Sequence, residues 1–308
     1  MAAYNASMRS TSSTRTNLVL LALVVIASTQ ASAQGRRPGP DSFDPSKFIP
    51  NFSGQTDQQR EAELAKVQLS LKEEARIGQQ EIDAFKQRLA GKKRKLSSRG
   101  RDVEYIATLV GRLQPQMSQA KRYRKIQVWI YDDEQPQAYA ICGGQILLSQ
   151  GMLDQVGSEA ALVCVLGHEL AHLDRGHLLR RAKQWKLMEK RFAPSGEFRL
   201  DELFRSLDAM QQLFRRPFGP EEELEADRDG ITWAYKLGYD PQAIEGLYAA
   251  LDHPGELAMP PWMQSHPPSA ERRENLSLTV AALKKKHPAK ELILGEENLH
   301  RREAAERE

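Results

Sequence analysis

Hydrophobic spacing divides the chain into a polar front, a mainly helical body and one short region of strand pattern. From Gln59 to Ala90, residues Leu64, Val67, Leu71, Ile77, Ile82 and Phe85 recur at helical spacing and predict one apolar face. Val103 to Leu113 repeats the pattern with Ile106, Leu109, Val110 and Leu113. Lys125 to Tyr131 (KIQVWIY) instead alternates and is rich in branched and aromatic residues, so it predicts a strand. Gln145 to Ser149, entered through Gly143-Gly144, predicts a second. Helical spacing then returns over Glu159 to about Lys190, around Leu200 to Phe214, and over Glu221 to Leu237, Pro241 to Leu251 and Ser269 to Lys285. The expected fold is α+β, mainly helical with a small sheet, as one domain over residues 58–290. The charged tail 291–308 is expected to fray.

The front of the chain carries different information. Residues 1–17 hold Arg9 and Arg15 but no carboxylate, Leu18 to Ala27 is unbroken apolar sequence, and Ala31-Ser32-Ala33 precedes Gln34. These are the three regions of a secretory signal peptide over 1–33, with cleavage after Ala33. Ten apolar residues span only about 15 Å as a helix, too short for a stable transmembrane segment. The expected location is therefore periplasmic or secreted, with a mitochondrial transit peptide as the alternative. Residues 34–57, with Pro38, Pro40, Pro45 and Pro50 and few large aliphatics, predict a disordered linker. No later stretch is apolar enough to span a bilayer. Near balance between 44 Lys and Arg and 41 Asp and Glu argues against nucleic acid as a partner. Two cysteines, Cys142 and Cys164, do not make a disulfide framework.

The chemistry concentrates in 165-VLGHELAHLDRGH-177, which contains His168-Glu169-Leu170-Ala171-His172. On a helix, positions i and i+4 share a face, so both imidazoles can bind one zinc ion while Glu169 stands beside it as a general base. Ser158 is placed to cap that helix. Its flanks are apolar nearly all round, so it is expected to be buried, where two histidines and a glutamate need a partner such as a metal. A third ligand is expected from 221-EEELEADRDGITWAYKLGYD-240. Three carboxylate pairs there have i, i+4 spacing, but only Glu223 and Asp227 share the stripe of Leu224, Ile231 and Ala234. Glu223 is accordingly the expected third ligand, and Asp227 the group that orients a ligating histidine.

These motifs, with G-Y-D-P at 238–241 and H-P-P-S-A-E-R at 266–272, resemble the M48 family of zinc metallopeptidases, in its soluble periplasmic branch. The stretches 71-LKEEARIGQQ-80 and 138-AYAICGGQILLSQGML-153 resemble that family's helix before the catalytic domain and its substrate-side strand. Cys142 and Gln137 depart from its pattern at the strand entry. The resemblance implies a zincin-like domain holding one Zn2+ and a sheet whose edge strand lines the active site. It also implies an endopeptidase acting on unfolded or misassembled, including membrane-associated, envelope proteins. It brings His266 and Arg272 near the metal, either one a candidate to stabilise the oxyanion; His266 could instead occupy the open zinc position and hold the enzyme latent.

If the strand Gly144 to Ser149 is the sheet edge, Gly143, Gly144, Gln145, Ile146 and Leu147 would pair with an extended substrate; the other reading is an ordinary core strand. Cys164 is read as a small buried hydrophobe and His177 as a residue shaping the helix end. Trp129, Trp185, Trp233 and Trp262 read as packing residues, with substrate contact the alternative for Trp262, and Arg180 to Phe218 is a candidate lid. Against the peptidase stands a chaperone-like, peptide-binding protein with a structural zinc site.

Overall fold

The computed structural model describes residues 57–192, 217–251, 266, 270–288 and 291–305. The expected signal peptide, most of the linker, the helix around 200–214 and Trp262 lie outside them.

Two helices come first, α1 (Asp57–Lys66) and α2 (Leu71–Gly91). The apolar spacing runs across both, but Ser70 breaks it. Its side chain accepts from the Glu73 N–H while the Glu73 carboxylate accepts from the Ser70 N–H, a reciprocal cap that starts a new helix. Strand β1 (Leu96–Ser97), α3 (Arg101–Leu113), β2 (Gln127–Tyr131), β3 (Ala138–Ile141) and β4 (Gln145–Ser149) follow. Then come α4 (Gln150–Gln155), α5 (Glu159–Asp174), α6 (His177–Phe192), α7 (Pro220–Lys236), α8 (Ala243–Leu251), α9 (Ala270–Lys286) and α10 (Glu296–Arg301). Gly176, at φ +78°, separates α5 from α6 in what the spacing alone reads as one helix.

The sheet order is β1-β2-β4-β3, with β2 and β4 parallel and the outer pairs antiparallel. This corrects the placement of the substrate strand. Strand β4 is hydrogen-bonded on both sides and buried at every position, so Gln145, Ile146 and Leu147 belong to a core strand. The edge is β3. Gly143 and Gly144 form the turn between β3 and β4, both at positive φ; the Gly143 N–H donates to the buried Glu74 carboxylate. One sheet face packs on α2, where Ile82 and Leu89 meet Tyr131, Ile141 and Leu147. At the edge, β3 packs beside α5.

Among the described residues, helix α5 is buried along nearly its whole length. Ser158 caps it as expected, accepting from the Ala161 N–H, and every residue from Glu159 to Leu173 is buried. Its first carboxylate, Glu159, accepts from the Tyr105 and Tyr239 hydroxyls and from the Ala305 N–H. Residues 291–305 therefore do not fray. They return to the start of α5, where the Gly295 and Leu294 carbonyls accept from the Glu159 and Ala160 N–H groups, and Ile293 forms a bridge to Tyr239.

Candidate metal centre and active site

Helix α7 brings the second half of the site. It starts at Gly219, whose N–H donates to the Glu222 carboxylate, with Pro220 in the first turn. It then crosses α5 at two glycines. A Cβ on Gly230 would lie 2.6 Å from His168 N, and one on Gly167 would lie 2.9 Å from Gly230 Cα, so only glycine permits this approach. The contact sits beside His168 and holds the first two turns of α7 against the H-E-x-x-H face. Neither glycine was singled out by spacing, because the pairing joins residues far apart in the chain.

At the crossing, Glu223 and Asp227 point inward, 1% and 7% exposed, while Glu225 and Asp229 lie on the outer face facing Arg175. Periodicity had separated the two sets correctly. The side-chain donors of His168, His172, Glu223 and His266 all lie within 4.8 Å of one another, and all four residues are buried. His168 Nε2 is 3.1 Å from His172 Nε2 and 3.5 Å from Glu223 Oε2, and His172 Nε2 is 3.6 Å from Glu223 Oε1. Donors held tetrahedrally at zinc-ligand distances stand about 3.3–3.6 Å apart, so the three residues offer donors close to the spacing that one ion needs. Glu223 Oε2 is buried and faces two partners, the Arg272 guanidinium at 2.8 Å and His168 Nε2 at 3.5 Å.

Electrostatics agree. Burial lowers His168, but the hydrogen bond to Asp227 and the charge of Glu223 outweigh it and raise His168 above its ordinary value. Burial, then the neighbouring His168 and His266, push His172 well below the usual imidazole range. Burial raises Glu223, yet His266, His168 and Arg272 bring it below the usual carboxylate range. Two imidazole nitrogens and a carboxylate converging on one buried point are a donor set suited to Zn2+.

Each ligand is fixed from behind. Asp227 Oδ1 is 2.9 Å from His168 Nδ1, leaving Nε2 for metal. Arg272, on α9, donates to both Asp227 oxygens at 2.7 and 2.8 Å, to the His266 carbonyl at 3.0 Å and to the Tyr248 hydroxyl at 3.3 Å, and lies 2.8 Å from Glu223 Oε2. Arg272, expected as a candidate oxyanion donor, is buried with its guanidinium engaged by Asp227, Glu223, Tyr248 and the His266 carbonyl, an arrangement that also suits a positioning role. Phe218, which spacing did not mark, stacks on His172 with ring centroids 3.7 Å apart, and the Arg181 guanidinium lies 3.5 Å from its ring centre.

Glu169 is 1% exposed, and its Oε2 accepts from the Ala140 N–H of edge strand β3 at 2.8 Å. Its Oε1 is 3.3 Å from His266 Nε2. The other nitrogen of His266 is 3.0 Å from His168 Nε2 and 2.9 Å from Glu223 Oε1, so this side chain spans the metal position and the general base. Cys164 and Cys142 are free and buried, and burial pushes both thiols well above their ordinary value, so neither is a thiolate nucleophile.

Fold and site together define a zinc metallopeptidase with two helical histidines and a glutamate as metal ligands. Residues 103–280 match the model of peptidase family M48, and the chain belongs to that family. Among curated proteins it is 28% identical over 203 residues to a β-barrel assembly-enhancing protease of Yersinia pestis, covering 60% of this chain and 40% of that one. It is 26% identical over 140 residues to the mitochondrial metalloendopeptidase OMA1 of Arabidopsis thaliana, covering 46% of this chain and 28% of that one. To the metalloprotease YcaL of Escherichia coli it is 28% identical over 160 residues, covering 50% of this chain and 61% of that one. The chain thus spans between 28% and 61% of the length of these relatives. Among the described residues no helix is long and apolar enough to cross a membrane.

Proposed function

We propose that this zinc endopeptidase is exported and cleaves unfolded or misassembled envelope polypeptides. The observation that carries the catalytic part is the bond from the Ala140 N–H to Glu169, which ties the general base to the sheet edge and to the metal cluster at once. In β3, Tyr139 and Ile141 pair toward β4, so the backbone of Ala138 and Ala140 is directed to the free side. An extended polypeptide added along that side brings its backbone to Glu169 with little demand on side-chain sequence, which favours unfolded segments.

His168, His172 and Glu223 would hold the zinc ion, which supplies Lewis acidity, polarising a peptide carbonyl and making water acidic enough to attack near neutral pH. Glu169 takes a proton from the attacking water and returns it to the leaving amide nitrogen. Asp227 and Arg272 keep the His168 tautomer and the Glu223 carboxylate fixed throughout.

Export rests on the leader-like residues 1–33; the periplasm is the favoured compartment, with secretion or mitochondrial import the alternatives. The Arabidopsis relative is named as mitochondrial, in keeping with the mitochondrial alternative. Casein cleavage by the chain with its leader removed tests the activity: it is expected with zinc, and lost with a chelator or in Glu169→Gln. Equal cleavage in all three would overturn the mechanism. A second reading is favoured by one observation: with Nδ1 at 2.9 Å from Glu223 and 3.0 Å from His168, His266 is placed to fill the position a substrate needs. The enzyme would then be latent until that side chain moves, and His266→Ala would cleave casein faster than the parent.

A further inference from the structure

His177 opens α6, just beyond the Gly176 break, five residues after the ligand His172. Its Nδ1 lies 2.9 Å from His172 Nδ1, and its Nε2 lies 3.3 Å from Glu225 Oε2. It is 7% exposed, and its ring packs at 5.1 Å from that of His172 and 6.0 Å from that of Phe218. We propose that His177 is a positioning residue that fixes the tautomer and ring orientation of the zinc ligand His172.

Proton positions follow from counting donors and acceptors. His172 Nε2 is the nitrogen among the other ligand atoms, so it must keep a lone pair for metal. The proton of the neutral ring is then on Nδ1 and is donated to His177 Nδ1. His177 must therefore carry its own proton on Nε2, from which it is donated to Glu225. The result is a chain from carboxylate through imidazole to the ligand, serving His172 as Asp227 serves His168. The two arms differ in setting: Asp227 is buried and held by Arg272, whereas the Glu225 side chain is 41% exposed and lies 3.7 Å from Arg175. Phe218 closes the clamp by stacking on the face of His172.

The inference rests on zinc binding at this site, so the test begins with zinc affinity of the parent, measured by competition with a chromophoric chelator. The variants are His177→Ala, which removes the acceptor, and His177→Asn, whose side-chain oxygen can replace Nδ1. Expected results are about a 10–100-fold weaker zinc affinity for Ala and recovery to within about threefold of the parent for Asn. The absorption spectrum of the cobalt-substituted protein should change in Ala and return in Asn. Parental affinity and cobalt spectrum in His177→Ala, or equal loss in both variants, would overturn the proposal. A parent that binds no zinc would instead remove the metal site itself.

Discussion

Replacing Gly230 by alanine perturbs a close backbone contact between the two metal-binding helices. The new methyl carbon would lie 2.6 Å from His168 N, 2.9 Å from Gly167 C and 3.1 Å from His168 Cα, all backbone atoms that cannot rotate away. Ordinary contact begins near 3.4 Å, so α7 must retreat by roughly 0.8 Å. Overpacking of this kind costs about 1–3 kcal/mol, or roughly 2–12 °C in Tm for a domain of this size. Glu223 lies two helical turns before Gly230, and a rigid retreat carries it along. Its oxygens, at 3.5 and 3.6 Å from the ligating nitrogens, then pass about 4 Å, beyond the spacing that one zinc ion bridges. Zinc affinity should fall by at least about tenfold and kcat/KM by about 100-fold. Gly111→Ala is the matching control, since it sits within α3 and its Cβ would meet nothing within 4 Å. It should leave affinity unchanged and stability equal or slightly raised. A Gly230→Ala protein with parental Tm and zinc affinity would refute the reasoning.

Three further perturbations probe other parts of the site. Arg272→Lys keeps the charge but loses the planar fork shared by Asp227, Tyr248 and the His266 carbonyl, so zinc affinity should drop by about tenfold or more; parental affinity with reduced kcat would favour the oxyanion role for Arg272. Burial raises Asp227, but Arg272 and His168 outweigh it and hold the carboxyl well below the usual range. Such a group stabilises the fold above its unfolded value near 3.9 and loses that contribution as pH falls. Asp227→Asn should therefore flatten the decline of urea stability below about pH 4, and an unchanged slope would deny the pairing. Glu159→Ala leaves two tyrosine hydroxyls and the Ala305 N–H without their acceptor. It should cost at least about 2 kcal/mol in urea unfolding; a loss below about 0.5 kcal/mol would show that residues 291–305 are not held through this carboxylate.

The site was more legible in the sequence than the sheet that serves it. His168, Glu169 and His172 lie within one helical turn, and the inward choice of Glu223 and Asp227 followed from the apolar stripe on their own helix. Both are local properties. Strand order is not: β3 is only four residues long, Ala138–Ile141, and nothing local says that β4 pairs on both flanks. The condition set for substrate pairing at Gly143 through Leu147, that their strand be the sheet edge, is not met for that reason. Gly167 and Gly230 read as weak helix formers until they are seen meeting each other. The sense of Arg272 depended on which side of the ligands its fork faces, which chain order does not encode. The charges of Glu296, Glu297 and Arg301 masked the attachment of the tail, whose anchors include Ile293, the Leu294 and Gly295 carbonyls, Leu299 and the Ala305 N–H. The signal for the α1–α2 break was present in Ser70 and Glu73, but the apolar spacing running across it was stronger.

Metal content of the purified chain, by elemental analysis after removal of loosely bound ions, tests the centre most directly. One zinc per chain is expected in the parent, in Glu169→Gln and in Glu221→Ala, and close to none in Glu223→Ala. Full zinc in Glu223→Ala would contradict a site built jointly by α5 and α7.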